Sequence, residues 1–238
     1  MEVDTMETLI RLFVSILIIC VLALMIKKSR CLDNEGVIGS SIMGFILLYF
    51  CGFKYLILLL SFFILGVLVS RVGLEKKKAK KMDETCRSLK NVLANGLIPI
   101  LFAILAIFGF NWALIGYISS IAAATSDTFS SELGILSNEK PRLITTFEVV
   151  EKGTDGAITI FGTLAGVLGA FLIGLFGYLL FGDIKIVLCG TAGGIAGNLA
   201  DSLVGALFER KGILNNEHVN LIATIVGGII GVLIYCTL

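Results

Sequence analysis

Long apolar runs recur along this chain of 238 residues, and they limit its fold more than any other feature. The first run, Leu9–Ile26, is about as long as a helix must be to cross the hydrocarbon core of a bilayer, which takes roughly 20 residues. Charged residues make up only 16% of the sequence, whereas soluble domains are about a quarter charged. These features exclude a soluble globular domain, a disordered tail and a secreted disulfide scaffold. They predict an all-α, polytopic membrane helix bundle.

We predict about eight transmembrane helices in one integral membrane domain that covers residues 1–238. The predicted spans are Leu9–Ile26, Gly36–Cys51, Tyr55–Ser70, Val92–Gly109, Trp112–Ser126, Ala157–Phe181, Ile184–Phe208 and Val219–Leu238. The second and third spans are short and meet at a tight hairpin, Gly52-Phe53-Lys54. A re-entrant pair of helices is the alternative interpretation of these two spans.

Basic residues are unevenly distributed between the predicted loops. Most of the 19 Lys and Arg residues fall in four alternate loops, as Lys27, Lys28, Arg30; Arg71, Lys76, Lys77, Lys78, Lys80, Lys81, Arg87, Lys90; Lys140, Arg142, Lys152; and Arg210, Lys211. The opposite side has only Arg11, Lys54 and Lys185. Because basic loops stay on the cytoplasmic side, we predict a multi-pass protein of the cell membrane with both termini outside. The run from Glu75 to Lys81 is either such a topology signal on a solvated helix or a patch for lipid headgroups or substrate phosphates.

Several common functions find no support in the sequence. The formal net charge of +1 gives no indication of a nucleic-acid partner. The six cysteines form no CxxC pair, and the single histidine, His218, has no cysteine neighbours with which to bind zinc. The nucleotide-binding patterns GxxxxGK[ST] and GxGxxG, the metalloprotease pattern HExxH and the hydrolase pattern GxSxG are all missing.

Three polar clusters lie at the predicted cytoplasmic ends of the fifth, sixth and seventh spans. They are Ala124–Gly134, Lys152–Gly156 (followed by Thr159, Gly162 and Thr163) and Gly197–Ser202. Steps of three and four residues place small and polar side chains on one face of each helix, as in Gly116, Ser120, Ala123, Asp127, Ser131; Asp155, Thr159, Gly162, Gly166, Gly169; and Gly190, Gly194, Gly197, Asn198, Asp201, Gly205. Glycine stripes allow helices to approach closely. We therefore expect the polar ends to converge on one cavity.

Asp201 is the most informative single residue. It lies about 10 Å inside the end of its span, at ~1.5 Å per residue, where a charged side chain costs roughly 2.5–3.5 kcal/mol on insertion scales. Asn198 and Ser202 accompany it, and Asp127 and Asp155 are predicted at similar depth. The alternative is that Asp201 only forms hydrogen bonds with neighbouring helices.

Carboxylates together with Asn, Ser and Thr oxygens suit a hard cation such as Mg²⁺. Lys152 and Arg142, taken alone, are interpreted as topology charges, but together with the acids they become candidate partners for substrate phosphates. Gly153 and Gly156 would allow backbone N–H groups to approach an anion, and we expect Asp155-Gly156 to open the sixth helix at its positive end. These features together predict a metal–phosphate site.

At these residues the chain resembles the transmembrane protein 19 family, which includes the plant phytyl-phosphate kinase. The similar segments are Gly36–Gly44, Val92–Gly96, Ala123–Gly134, Pro141–Thr145, Gly153–Ala157 and Gly197–Ala206. A weaker similarity to dolichol and phytol kinases involves Asp201-Ser202 with Gly205, and Gly162–Gly166. In the latter motif, Phe161 stands where those enzymes typically carry an acidic residue.

The resemblance implies a membrane kinase that converts an isoprenyl monophosphate (phytyl, geranylgeranyl or farnesyl phosphate) to the diphosphate at the cytoplasmic face, with CTP or another nucleoside triphosphate and Mg²⁺. We expect Asp127, Asp155 and Asp201 to be catalytic, and the metal ligands to be Asp127, Glu132, Asp155, Asn198 and Asp201. For substrate and nucleotide binding we expect Ser126, Thr128, Ser131, Arg142, Lys152, Gly153, Thr154, Gly156, Thr163, Asn198 and Ser202. Membrane lipid is a further expected partner, and a homodimer is an alternative to a monomer.

Two other classes of membrane protein would use a similar set of acidic residues. An ion-coupled transporter would use the buried acids to bind its ions, but it needs a polar path to both sides of the membrane. The polar clusters lie on one side, and the outer half of the sixth span, residues 172–180, has no ionisable group except Tyr178. Another CTP-using lipid enzyme, such as a cytidylyltransferase, would need similar metal ligands.

Overall fold

A computed structural model describes the backbone of residues 2–79 and 86–238, with side chains for 5–77 and 86–238. Its elements are α1 (Glu2–Ser29), α2 (Asn34–Ile46) with a π-helical turn (Leu47–Cys51), α3 (Phe53–Arg71), α4 (Leu74–Ala79), α5 (Leu89–Ile107), α6 (Asn111–Gly134), β1 (Arg142–Leu143), β2 (Ala157–Ile158), α7 (Ile160–Phe181), α8 (Lys185–Val204) with a π-helical turn (Gly205–Glu209), and α9 (Asn216–Thr237). The two short strands pair antiparallel.

Local sequence explains where several of these helices begin and end. Asp33 caps α2 by accepting a hydrogen bond from the backbone N–H of Gly36 at 2.6 Å. Gly52, with a φ of 97°, is the one residue between the second helix and α3, as the predicted hairpin requires. Ser88 and Asn91 form a capping box at the start of α5.

The all-α membrane bundle predicted from the sequence is confirmed. Seven helices in the described residues are long and apolar enough to cross a membrane: α1, α2, α3, α5, α7, α8 and α9. The predicted fifth span corresponds to α6, which has 24 residues but is not among these seven. It is polar because it lies at the centre of the bundle rather than against lipid.

Helix α6 contacts α3, α5, α7, α8 and α9, and most of its side chains are buried. Several of its polar groups are satisfied by neighbouring helices, since Ser120 Oγ donates to the Thr224 carbonyl at 2.9 Å and the Tyr117 hydroxyl donates to the Tyr55 carbonyl at 2.5 Å. A buried polar group that is hydrogen-bonded costs little. Helix α6 therefore tolerates a polar sequence at the core.

Glycines allow α7 and α8 to pack closely against their neighbours, as the small-residue stripes predicted. A Cβ at Gly162, Gly166 or Gly169 would lie 2.9–3.0 Å from a backbone carbonyl oxygen of α6. A Cβ at Gly197 would lie 2.6 Å from the carbonyl oxygen of Ala223 in α9. Real Cβ atoms essentially never come within 3.0 Å of such atoms, so a larger residue at these positions would push the helices apart. Helix α1 is peripheral by contrast and packs mainly against the second helix, with Ile19 also contacting the apolar cluster that includes Leu56 of α3.

Candidate functional site

A polar cavity of about 480 Å³ lies at one end of the bundle. It is enclosed by the beginning of α5, the last turns of α6, the α6–α7 loop, the end of α8 and the beginning of α9. The parts contributed by α6, the α6–α7 loop and α8 contain the three polar clusters assigned from the sequence. The clusters therefore converge, as predicted from their spacing.

Most of the site residues predicted from the sequence line this cavity. They are Asp127, Thr128, Ser131, Glu132, Lys152, Gly153, Thr154, Asp155, Gly156, Asn198, Asp201 and Ser202. Three predicted residues, Ser126, Arg142 and Thr163, are not among the lining residues. Ser126 is fully buried between α6 and α7, beside Gly166, and the Thr163 hydroxyl donates to the carbonyl of Thr159. Both belong to helix packing rather than to the cavity wall.

The three aspartates share one chamber with a fourth acid, Glu209. The carboxyl of Asp201 is within hydrogen-bonding reach of the carboxyl of Asp127, and it is within electrostatic range of Asp155 and Glu209. Oδ2 of Asp201 is buried and has no hydrogen-bond partner among the described residues. Two carboxyl groups in contact at low dielectric repel each other unless a proton or a cation neutralises them. The arrangement therefore suits a cation-binding site.

Among the described residues, the cavity offers Mg²⁺ a pair of carboxylates but not a complete set of protein ligands. No group of three or more His, Cys, Asp or Glu side chains in the described part of the chain is arranged to hold a metal ion by itself. Mg²⁺ does not require such a cage, because it is commonly held by one or two carboxylates while water and substrate phosphates complete its shell. Asp127 and Asp201 supply such a pair, and Asn198, which is 7% exposed, precedes Asp201 on α8 by one helical turn.

Glu132 was predicted as a metal ligand, but the structure gives it another role. Its Oε2 lies 2.5 Å from the ammonium of Lys77, and its Oε1 accepts a hydrogen bond from Ser70 at 2.6 Å. Lys77 is only 1% exposed, so Glu132 neutralises a buried cation. This also corrects the interpretation of the basic run from Glu75 to Lys81, because Lys77 is neither solvated nor available to a headgroup. In the same run, the side chain of Lys78 and the whole of Lys80 and Lys81 lie outside the described residues.

Asp155 reaches the cavity from a turn and not from the end of a helix. Helix α7 begins at Ile160, five residues later, so the prediction that Asp155-Gly156 opens it is wrong. The first amides of α7 are also occupied, because the Glu139 carboxylate accepts from the N–H groups of Ile160 at 2.8 Å and Phe161 at 3.3 Å. An anion bound at this helix terminus would have to displace Glu139.

Two glycines allow this turn to adopt its conformation and to pack closely against α8. Gly153 and Gly156 have φ values of 85° and 73°, in the left-handed region that favours glycine. Gly156 packs against Gly205 and Ala206, where α8 enters its π-helical turn. This contact places Asp155 near the acidic side chains of α6 and α8.

The two basic residues predicted to bind phosphate differ in position. The ammonium of Lys152 lines the cavity, but it donates to the carbonyl oxygens of Ile135 and Ser137, just past the end of α6. An ammonium has three donors, so one remains for a ligand. Arg142 is exposed on β1 and donates to the Phe147 carbonyl at 2.8 Å within its own loop.

Several residues that line the cavity are not among the site residues predicted from the sequence. They are Arg87, Asn91, Asn95, Glu209, Asn216 and Asn220. Arg87 had been counted only as a topology charge. The four-residue spacing of Asn91 and Asn95 was visible in the sequence and indicates a polar face at the beginning of α5, and Arg87 lies two residues before that helix.

Substitution of Gly156 by Ala is expected to destabilise the fold more than the same change at Gly182. Both glycines have positive φ, 73° and 85°, so both variants carry the left-handed strain of about 1–2 kcal/mol. A Cβ at Gly156 would also collide with Ala206, whereas at Gly182 nothing lies within 4 Å. Thermal unfolding in detergent measures the difference, and equal midpoints for the two variants would contradict the packing of the turn on α8.

Comparisons with known proteins show similarity along nearly the whole chain. A family model described as "Integral membrane protein DUF92" matches residues 17–228. The chain is 31% identical to "Protein PGR" of Arabidopsis thaliana over 236 residues, covering 85% of this chain and 80% of that protein. It is 31% identical to "Protein VTE6, chloroplastic" of the same plant over 217 residues, covering 85% of this chain and 65% of that protein. An "Uncharacterized membrane protein sll0875" of Synechocystis is 33% identical over 224 residues, covering 89% and 86%. No solved structure matches the chain.

Proposed function

This chain belongs to the DUF92 family of integral membrane proteins, and on that premise we propose that it is a kinase that phosphorylates an isoprenyl monophosphate. The donor we propose is a nucleoside triphosphate, with CTP preferred as the resemblance to dolichol and phytol kinases implies. The product is the isoprenyl diphosphate.

The observation that carries this proposal is the acidic cavity at one end of a membrane bundle. Five of the six segments that resemble the phytyl-phosphate kinase family contribute residues to this cavity, and the chain is 31% identical to VTE6. The volume of the cavity, about 480 Å³, lies within the roughly 300–1,000 Å³ of typical ligand sites. A cavity at the membrane boundary suits this pair of substrates, since the acceptor can keep its apolar tail in lipid while its phosphate meets a water-soluble donor.

The charges in the cavity suit a cation-assisted reaction. Five acidic side chains line it (Asp127, Glu132, Asp155, Asp201 and Glu209), and because Lys77 neutralises Glu132, four of them remain against two basic ones (Arg87 and Lys152). A polyanionic triphosphate would be repelled by such a surface unless cations neutralise it. In our proposal Asp127 and Asp201 would hold Mg²⁺, directly or through water, with help from Asp155, and Asn198 and Ser202 would orient it. When bound, Mg²⁺ supplies charge neutralisation of the phosphates.

The remaining residues hold and orient the two phosphate groups. Arg87 and the free donor of Lys152 are the cationic groups available to them in the described part of the cavity. An oxygen of the acceptor phosphate forms a bond to the γ-phosphorus as the bond from that phosphorus to the β,γ-bridging oxygen breaks, and the nucleoside diphosphate leaves with the electron pair. An alkyl phosphate loses its second proton near pH 6. It is therefore already ionised at neutral pH, and we assign no general base.

A transporter is less well supported by the same geometry. All the lining residues of the cavity come from one end of their helices. Toward the other end, the same helices pack around a buried apolar cluster that includes Ile118, Ile173 and Ile186. A transport path needs polar surroundings on both sides of its binding site. We also propose that the cavity faces the cytoplasm, because the α6–α7 loop, which carries Lys140, Arg142 and Lys152, forms part of its wall.

A purified-enzyme assay tests the proposed reaction. Protein in detergent is supplied with phytyl or geranylgeranyl monophosphate, Mg²⁺ and each of four nucleoside triphosphates, and the isoprenyl diphosphate is measured by mass spectrometry. We expect more isoprenyl diphosphate with CTP than with any of the other donors. EDTA should reduce the rate to background, because the acids would then repel the triphosphate, and added Mg²⁺ should restore it. No diphosphate with any donor and acceptor would contradict the proposal.

A further inference from the structure

A second, apolar groove lies beside the acidic cavity. It has a volume of about 90 Å³ and is lined mostly by apolar side chains of α1, α2, α3 and α5, among them Ile19, Met43, Leu59 and Phe62. Two hydroxyl side chains of α2, Ser40 and Ser41, also line it. Each donates its hydrogen bond to the carbonyl of Val37 in its own helix, so neither hydroxyl needs a ligand in the groove.

The groove and the cavity share part of their walls. Arg87, Asn91 and Asn95 line both. The guanidinium of Arg87 lies over α3 at Gly66, where an added Cβ would be 3.4 Å from Nη1. Glycine at this position leaves room for the guanidinium. A cation and two amides thus stand at the boundary between a polar chamber and an apolar one.

We infer that this groove receives the part of the acceptor's isoprenyl chain next to its phosphate, and that Arg87, Asn91 and Asn95 position the phosphate at the boundary. This inference rests on the proposed function and assigns the acceptor a binding site. The two compartments match a molecule with an anionic head and an apolar tail, because Arg87 is complementary to the head and the groove to the tail. Fork-shaped pairing of a guanidinium with phosphate adds strength and orientation.

The size of the groove limits how much of the tail it can hold. At about 90 Å³ it is well below the roughly 300 Å³ of pockets that enclose a whole small molecule. The rest of the chain therefore lies against lipid-facing surface. The adjoining helix α1 offers such a surface, since Leu17, Val21 and Leu24 are about half or more exposed. A long-chain acceptor can thus remain partly in the membrane while it reacts.

Photolabelling tests the location without requiring turnover. The probe is a geranylgeranyl monophosphate analogue with a diazirine close to the phosphate, and labelled peptides are identified by mass spectrometry. We expect labels on the groove walls, in residues 19–26, 40–44 or 56–63. Ser41→Leu, which fills the groove, should reduce labelling at least about tenfold, in line with the 10–200-fold effect of one methylene in an apolar pocket.

Ser61→Leu is the matched control for this substitution. Ser61 is also half-buried and also donates to the carbonyl four residues earlier, Ile57, but it lines neither compartment. Its labelling should equal that of the unchanged protein. Ser40→Leu serves as a second groove-filling variant if Ser41→Leu does not fold. Labels confined to other helices, or equal labelling of the Ser41 and Ser61 variants, would overturn the inference.

Kinetics separates the head of the acceptor from its tail. Filling the groove with Ser41→Leu should raise KM for geranylgeranyl monophosphate at least about tenfold and raise KM for methyl phosphate, which has no isoprenyl chain to place in the groove, much less. Arg87→Gln should raise KM for both acceptors by similar factors, because it removes a phosphate contact. If the unchanged protein is labelled in the groove but makes no diphosphate, the proposed reaction fails and the binding site stands. If diphosphate forms and Ser41→Leu behaves like Ser61→Leu with both acceptors, the groove assignment fails.

Discussion

Asp201→Asn is expected to lower kcat/KM for diphosphate formation by at least about 10²–10³-fold, the range seen when one group that stabilises transition-state charge is removed. Asp201 lines the cavity, it lies within hydrogen-bonding reach of Asp127, and its Oδ2 has no partner among the described residues. Removing one charge from the pair weakens cation binding, but asparagine has nearly the same size. The variant should therefore fold normally while it loses activity, as measured by steady-state kinetics in detergent.

Asp183→Asn provides the matched control. Asp183 precedes the other end of α8, where its Oδ1 accepts from the backbone N–H of Lys185 at 2.9 Å. Asparagine can accept the same bond, so activity and unfolding temperature should match those of the unchanged protein. If Asp201→Asn retained full activity while folded, Asp201 would have no part in the reaction.

Lys77→Met is expected to lower the free energy of unfolding by about 3–5 kcal/mol, the usual cost of removing one partner of a buried ion pair. Lys77 is 1% exposed, and its ammonium contacts Glu132 and lies near the carbonyls of Val69 and Ser70. The substitution would leave the Glu132 carboxylate buried without its cation. Unfolding followed by circular dichroism in detergent measures the loss.

Two further variants isolate the ion pair as the cause. Lys76→Met changes an exposed neighbour on α4 and should leave the stability within about 0.5 kcal/mol of the original. Lys77→Met combined with Glu132→Gln removes both charges and should recover much of the loss. A Lys77→Met protein as stable as the Lys76→Met protein would show that the pair does not tie α4 to α6.

The sequence was sufficient to predict that Asp127 and Asp201 would meet, although it did not indicate Glu209. Periodicity determines the face of a helix on which a residue lies, and glycine spacing predicts close approach of that face to a neighbour. Asp127 and Asp201 occupy such faces, and they lie together in the structure. The membrane helices could also be predicted, because a helix that crosses the bilayer must have a minimum length and an apolar composition, and both can be read from the sequence.

Pairings between distant residues could not be predicted in this way. Lys77 and Glu132 are 55 residues apart, and nothing in either local pattern indicates that one neutralises the other. Loop conformation was equally inaccessible, since Glu139 reaches the first amides of α7 through a bend that periodicity does not encode. Arg142 was assigned to the phosphates from its position in a basic loop, whereas its backbone pairing on β1 directs it away from the cavity.

Transfer of label from CTP to the acceptor tests the central claim most directly. The purified protein is incubated with geranylgeranyl monophosphate, Mg²⁺ and CTP carrying the label on either the α- or the γ-phosphate, and the lipid product is extracted into organic solvent. A kinase acting through this cavity puts the γ-label into the lipid and leaves the α-label on the nucleotide. An α-labelled lipid would identify a cytidylyltransferase instead, and no labelled lipid from either nucleotide would contradict phosphoryl transfer from CTP altogether.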